Sequence, residues 1–192
     1  MRTVLCDEEG LRAAAEVLLS GGVAVIPTDT VYGLAAHPRF PDAVDRLYTI
    51  KARSQAKPIA LLASDADAAE AFVGGFPPAA KALERHWPGA LTIVAGGEGL
   101  RVPDHGWTRR LIAACGGVLR VTSANLSGRR PATDAPQALA DVGLSADIVV
   151  DGGVSPGGVP STVVKIGGGG LEVLREGAVH VKPVRAAEKE EK

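Results

Sequence analysis

The sequence predicts a single α/β domain built on a mixed sheet. Short apolar runs alternate with amphipathic helical segments along nearly all of the 192 residues. Apolar residues make up 46% of the chain but aromatic residues only 4%, so the core is expected to be aliphatic. The 24 glycines and 13 prolines are scattered between the periodic segments, which is typical of one compact domain with many tight turns.

The first elements follow from local patterns. A short strand at 4–6 leads into a helix that Asp7 caps, that carries acidic residues in its first turn and that Gly21 ends. The continuous apolar run at 23–26 predicts a strand that is covered on both faces. A short helix is expected at 41–50, because proline is favoured in a first helical turn.

The rest of the chain alternates in the same way, and some of its strand pairs have the spacing of hairpins. Ser64, with Asp67 three residues later, resembles a capping box. The expected elements are strand 59–63, a helix from Ser64 to Gly74, helix 77–86, strands 91–94 and 100–102, helix 108–115, strand 118–122, helix 135–142, strand 147–150 and a hairpin of 161–166 with 171–174.

Charge and composition limit the possible functions. A net charge of −1 and a pI near 6.4 argue against a broad surface for polyanions, although a local basic groove remains possible. No hydrophobic signal or membrane-length run occurs, so a soluble cytoplasmic protein is expected. Cys6 and Cys115 lack metal-like spacing and are interpreted as free thiols. Residues 181–192 are expected to be a disordered charged tail.

Four loops carry polar residues beside predicted strands, which is where open α/β sheets bind ligands. These are Thr28-Asp29-Thr30 with Tyr32, the basic loop 51–57, Ser123-Ala124-Asn125 with Ser127, and Pro160-Ser161-Thr162.

Two sets of cations in and around these loops predict an anionic ligand. In the basic loop, Lys51, Arg53 and Lys57 combine a guanidinium fork with point charges, which suits a polyphosphate, although a solvated charged loop has the same composition. Arg101 and Arg175 lie in otherwise apolar strands, where a buried charge needs an anionic partner.

Several polar features allow more than one interpretation. Ser123 and Asn125 fit either a ligand site or an ordinary polar turn. Asp29 could be a base, but we expect it to form the turn through its side chain. The glycine runs at 152–158 and 167–170 lack the Lys-Ser/Thr of a phosphate loop. The four histidines have no zinc spacing and are expected to be satisfied or on the surface.

Eight motifs, in order, resemble the YrdC/TsaC family of threonylcarbamoyl-AMP synthases. They are PTDTVYGL (27–34), KARSQAKPIALL (51–62), WPGALTIV (87–94), RVPDH (101–105), TSANLSG (122–128), DGG (151–153), PSTVV (160–164) and LREG (174–177). The resemblance covers about 7–177. It implies a YrdC-like domain over 1–180, of the short single-domain form, with a twisted open mixed sheet, flanking helices and a large basic cavity.

The resemblance also implies a reaction. ATP, bicarbonate and L-threonine would give L-threonylcarbamoyladenylate and pyrophosphate, for the N6-threonylcarbamoyl modification of adenosine 37 in tRNA. Mg²⁺ would be carried by ATP, without a dedicated protein ligand set. The implied partner is the downstream tRNA threonylcarbamoyl transferase complex, with weak RNA binding possible and no membrane contact.

The family's functional residues map onto positions of this chain. By resemblance, the catalytic pair is Lys51 and Arg53. The implied threonine-binding residues are Thr30, Arg101, Ser123 and Ser161. The implied nucleotide-binding residues are Lys51, Arg53, Lys57, Val121, Asn125, Pro131 and Arg175. Many relatives have a histidine near threonine at the position where this chain has Leu62.

Two alternatives remain beside this enzyme. One is a module that binds double-stranded RNA or tRNA, and the other is a YciO-like paralogue of altered activity. The positive residues of an RNA module would form a long exposed stripe, whereas those of the enzyme would line a pocket.

Overall fold

The computed structural model describes residues 2–167, 170–182 and 184–185. Within these residues, eleven strands form one sheet and six α-helices flank it. The strands are β1 Arg2–Leu5, β2 Val23–Ile26, β3 Gly33–Ala36, β4 Leu61–Ala63, β5 Leu91–Ala95, β6 Glu98–Arg101, β7 Val118–Ser123, β8 Ile148–Asp151, β9 Thr162–Gly167, β10 Gly170–Arg175 and β11 Val184–Arg185. The helices are α1 Glu8–Leu19, α2 Pro41–Lys51, α3 Ala66–Val73, α4 Pro78–Lys81, α5 Gly106–Ala114 and α6 Ala135–Asp141.

The sheet is mixed, as the sequence predicted. Its strand order is β1-β8-β2-β3-β7-β4-β6-β5-β9-β10-β11. The pairs β1–β8, β2–β8, β4–β6 and β5–β9 are parallel, and the others are antiparallel. Gly33 of β3 pairs with Ser123 of β7, and Leu62 of β4 pairs with Arg101 of β6. The register therefore brings residues from distant parts of the chain to neighbouring positions in the middle of the sheet.

Helices cover both faces of the central strands. Ala24 and Ile26 of β2 pack in the cluster that contains residues of α1 and α5, whereas Val23 and Val25 pack with residues of α2 and α6. All four residues of β2 are fully buried, which confirms the prediction for 23–26. None of the helices in the described part of the chain is both long and apolar enough to cross a membrane.

Several boundaries differ from the predictions. β3 was not expected, because the sequence Gly-Leu-Ala-Ala has weak strand propensity and is held by pairing with β2 and β7. The helix expected at 77–86 is instead α4 followed by a 3₁₀ turn at Glu84–His86. The cap of α3 is Asp65, which accepts from the amide of Ala68, and not Ser64.

The carboxyl-terminal prediction also changes. Residues 184–185 form β11, which pairs antiparallel with β10, although the sequence placed them in a disordered tail over 181–192. Residues 183 and 186–192 of that predicted tail lie outside the described residues.

Candidate active site

A hydroxyl-rich turn joins β2 to β3. The Thr28 hydroxyl accepts from the amides of Thr30 (3.2 Å) and Val31 (3.3 Å) and donates to the Val31 carbonyl (2.7 Å). Thr28, and not Asp29, therefore forms the turn, so the interpretation of Asp29 as the turn-former was wrong. The hydroxyls of Thr28 and Thr30 lie 3.1 Å apart, and both residues are buried.

Arg101 is a buried cation with three fixed partners. Its Nε donates to the Gly89 carbonyl (2.9 Å) and its Nη1 to the Thr30 hydroxyl (3.0 Å). Its Nη2 donates to Asp29 Oδ1 at 2.6 Å, and the two side chains are only 7% and 11% exposed. The carboxylate of Asp29 thus compensates the charge that the sequence had marked as needing an anion. No local pattern could reveal this pair, because 72 residues separate its members.

Lys51 is the last residue of α2 rather than part of a loop, and it is 1% exposed. Its ammonium donates to the carbonyls of Ser123 and Asn125, the latter at 2.5 Å. Burial, and then the charge of Arg53, lowers the pKa of Lys51 from 10.5 to about 8. The side chain therefore anchors the loop after β7 and does not line the cavity.

Asn125 completes this anchored loop. Its amide nitrogen donates to the carbonyls of Leu126 and Arg129, each at 2.8 Å. These bonds are those of a polar turn, one of the two interpretations that the sequence allowed. Ser123, the last residue of β7, lines the cavity directly before this loop, and Lys51 donates to its carbonyl.

The basic loop contributes a different kind of cation. Arg53 lines the cavity and donates through Nε to the Lys57 carbonyl (3.1 Å) and through Nη2 to the Pro58 carbonyl (3.3 Å). Lys57 is exposed and is not among the cavity-lining residues. The main chain at 57–58 therefore orients the Arg53 guanidinium.

Arg175 of β10 and Ser161 also line this cavity. It donates to the Ser161 carbonyl (3.1 and 2.7 Å) and hydroxyl (3.1 Å), and that hydroxyl lies 2.8 Å from the Thr92 hydroxyl. Burial, and then the charges of Arg101 and Arg53, lower the pKa of Arg175. The charges of Arg101 and Arg53 thus disfavour the charged form of Arg175, which an anionic ligand would relieve.

These groups surround one cavity of about 240 Å³. Eight of the eleven residues that the sequence predicted for the site line it, namely Thr30, Arg53, Arg101, Val121, Ser123, Pro131, Ser161 and Arg175. The other three, Lys51, Lys57 and Asn125, do not. The lining also includes Leu62, Thr92 and Thr122, which lie on strands. The resemblance marked the position of Leu62, whereas Thr92 and Thr122 were not singled out in the sequence.

The arrangement suits a small anionic ligand that also carries a hydroxyl. Guanidiniums can bind carboxylate or phosphate oxygens, and the hydroxyls of Thr30, Ser123 and Ser161 can pair with a polar group. Residues 2–167, 170–182 and 184–185 contain no group of three or more His, Cys, Asp or Glu that could hold a metal ion. Arg53, Arg101 and Arg175 are cationic groups that line the cavity and can stabilise negative charge on a ligand.

Known proteins resemble this chain over most of its length. The Sua5/YciO/YrdC family model, described as "Telomere recombination", matches residues 16–177. The threonylcarbamoyl-AMP synthase of Bacillus subtilis is 34% identical over 94% of the chain and 57% of its own length. The enzyme of that name from Halorhodospira halophila is 34% identical over 74% of the chain and 82% of its own length.

Solved structures agree in fold. P. abyssi Sua5 complexed with L-threonine superposes with a TM-score of 0.83 at 28% identity, covering 92% of this chain and 57% of that one. E. coli YciO superposes with a TM-score of 0.82 at 23% identity, over 92% and 93% of the two chains. This chain therefore spans little more than half the length of the B. subtilis and P. abyssi relatives.

Proposed function

The chain belongs to the Sua5/YciO/YrdC family, and on that premise we propose that it is an L-threonylcarbamoyladenylate synthase, a nucleotidyltransferase. It condenses ATP, bicarbonate and L-threonine to threonylcarbamoyl-AMP and pyrophosphate. The observation that carries the proposal is the meeting of three guanidiniums and three hydroxyls at one cavity: Arg53, Arg101 and Arg175 with Thr30, Ser123 and Ser161. The names of the relatives and the threonine bound by P. abyssi Sua5 support it.

The wall around Arg101 suits the amino acid. A guanidinium has five N–H donors, and three of those of Arg101 bond to acceptors within the described part of the chain. Two donors remain for the threonine carboxylate. The hydroxyls of Thr30, Ser123 and Ser161 lie on the same cavity and can pair with the substrate hydroxyl. A site that pairs a hydroxyl rejects analogues that lack one, because its own polar groups are then left unsatisfied.

The wall around Arg53 and Arg175 suits the phosphates. ATP enters as its magnesium complex, and the metal is therefore part of the substrate. The neutral amine of threonine adds to carbon dioxide derived from bicarbonate and loses a proton to give a carbamate. The carbamate oxygen then attacks the α-phosphorus, and pyrophosphate leaves. The protein contributes position and neutralisation of charge on the phosphates rather than a covalent group.

Lys51, Asn125 and Lys57 act indirectly in this proposal. Lys51 and Asn125 fix the loop that presents Ser123, and the main chain of Lys57 orients Arg53. The catalytic contact assigned to Lys51 by resemblance thus becomes a positioning role. The product would pass to the tRNA threonylcarbamoyl transferase complex as the donor for adenosine 37.

Product analysis tests the function. The chain is incubated with Mg·ATP, bicarbonate and L-threonine, and products are identified by mass spectrometry while pyrophosphate is quantified. We expect threonylcarbamoyl-AMP and pyrophosphate in equal amounts, each dependent on all three substrates. Pyrophosphate without the adenylate, or AMP formation without threonine, would overturn the proposal. An RNA-binding module is less well supported, because Arg53, Arg101 and Arg175 line a pocket rather than an exposed stripe.

A further inference from the structure

Charge is balanced on one side of the cavity and unbalanced on the other. The amino-acid half contains Thr30 and the Arg101–Asp29 ion pair, whose closest atoms are 2.6 Å apart. The nucleotide half contains Arg53 and Arg175. Among the described residues, neither of these two arginines forms an ion pair with Asp or Glu.

We propose that Asp29 is a specificity-determining residue, which keeps phosphate groups out of the amino-acid half by cancelling the charge of Arg101. The proposal rests on the proposed function, since that function assigns an amino acid to one half and a polyphosphate to the other.

The two substrates differ most in net charge. Free threonine is a zwitterion with no net charge, whereas the triphosphate carries several negative charges. A buried carboxylate repels a phosphate strongly at short range, because the effective dielectric constant is well below that of water. The same carboxylate leaves the directional N–H donors of Arg101 in place, since it accepts from only one of them. Asp29 thus cancels the net attraction of Arg101 for polyanions, while the remaining N–H donors of Arg101 can still bond to the carboxylate of threonine.

The shared cavity makes such a device necessary. Arg53, Arg101 and Arg175 line the same cavity, and the pKa of Arg175 is lowered by burial and then by the charges of Arg101 and Arg53, so the fields of these two arginines reach Arg175. Without Asp29, all three would attract pyrophosphate, which is both product and polyanion. Pyrophosphate held at Arg101 would block the entry of threonine.

Calorimetric titration with inorganic pyrophosphate, which needs no turnover, tests the proposal. Wild-type protein should bind one equivalent. Asp29→Asn should bind a second equivalent at Arg101. Its affinity there should be about 10- to 100-fold higher than that of the wild type, because one charge-assisted interaction contributes about that much. The second equivalent should vanish in the double variant Asp29→Asn/Arg101→Gln. Glu98→Gln is the matched control. Glu98 lies on β6 with Arg101, but its carboxylate pairs with Arg120 of β7, so this variant should bind one equivalent of pyrophosphate.

The outcomes separate cleanly. Two equivalents bound by the wild type would overturn the proposal without any variant. A single equivalent in folded Asp29→Asn, or an equal gain in Glu98→Gln, would do the same. Asp29→Ser replaces Asp29→Asn if the latter does not fold, as judged by circular dichroism. A chain that forms no threonylcarbamoyl-AMP would refute the function but leave these stoichiometries to be measured independently.

Discussion

The two halves of the cavity hold their arginines in opposite ways. Arg101 lies on a central strand, is 5% exposed and is fixed by a carboxylate, a hydroxyl and a carbonyl. Arg53 lies in a loop and is partly exposed, and its acceptors among the described residues are the carbonyls of Lys57 and Pro58. In the same part of the chain, Arg175 donates to Ser161 alone. One half is thus prearranged and neutral, whereas the other keeps its positive charge for the ligand.

Because of this difference, we expect the two halves of the cavity to have different tasks. A neutral, rigid half can select an amino acid by hydrogen-bond geometry, because little rearrangement is needed on binding. A charged half can stabilise the phosphates as charge redistributes in the transition state. Substitutions should therefore affect substrate binding in the first half and turnover in the second.

The largest effect is expected for Arg53→Ala. The variant should lower threonine- and bicarbonate-dependent pyrophosphate release by about 100- to 1000-fold, as for loss of a charge-stabilising donor at a reacting centre. Arg85→Ala removes an exposed arginine outside this cavity and should leave the rate unchanged. Turnover close to wild type in Arg53→Ala would remove Arg53 from the nucleotide half.

The sequence predicted some features of the cavity and of the fold but not others. The residues at the cavity were found mainly because resemblance marked their motifs, and eight of eleven line it. The fold class and most elements followed from periodicity, whereas β3 did not, because its glycine and alanines depend on neighbouring strands. Asp29 as the partner of Arg101 could not be found locally. The inward direction of Lys51 was also missed, because sequence does not tell which way a side chain at a helix end points.

The next effect is on stability. Lys51→Met should lower the free energy of unfolding by up to about 2–3 kcal/mol, because the carbonyls of Ser123 and Asn125 lose their buried donor, while removal of the buried charge offsets part of this loss. Lys57→Met, at an exposed position, should have little effect. Urea unfolding monitored by circular dichroism measures both. Equal stability of the two variants would show that Lys51 does not anchor the loop.

The same lysine predicts a pH dependence. Folding lowers the pKa of Lys51 from 10.5 to about 8, so the unfolded chain binds more protons than the folded chain between these values. The destabilisation from burying its charge is therefore complete below about pH 8 and is relieved as the pH rises towards 10.5. Between about pH 8 and pH 10.5, the free energy of unfolding of the wild type should increase, relative to that of Lys51→Met, by up to about 1.4 kcal/mol per pH unit. Parallel stability curves for the two proteins would contradict the shifted pKa.

A smaller effect, confined to one substrate, is expected for Arg101→Lys. An ammonium cannot reproduce the planar fork that contacts Asp29, Thr30 and Gly89 together. The KM for threonine should rise about 10- to 100-fold, while the KM for ATP changes by less than about threefold, because the nucleotide half is intact. Steady-state kinetics with each substrate varied in turn measures the split. Equal increases in both constants would show that Arg101 does not belong to the amino-acid half alone.

The smallest effect tests whether the halves are independent. The Ser161 hydroxyl lies 2.8 Å from the Thr92 hydroxyl and accepts from Arg175 at 3.1 Å. Ser161 is proposed to bind threonine, yet it contacts an arginine of the nucleotide half. Ser161→Ala should raise the KM of both threonine and ATP by about 3- to 10-fold, the value of one hydrogen bond. Ser155→Ala is the matched control, because Ser155 is equally buried at 6% and its hydroxyl has no partner among the described residues. An increase in the KM for threonine alone would assign Ser161 to the amino-acid half and contradict the coupling. An increase in the KM of both substrates means that Ser161 couples the binding of threonine to the binding of ATP.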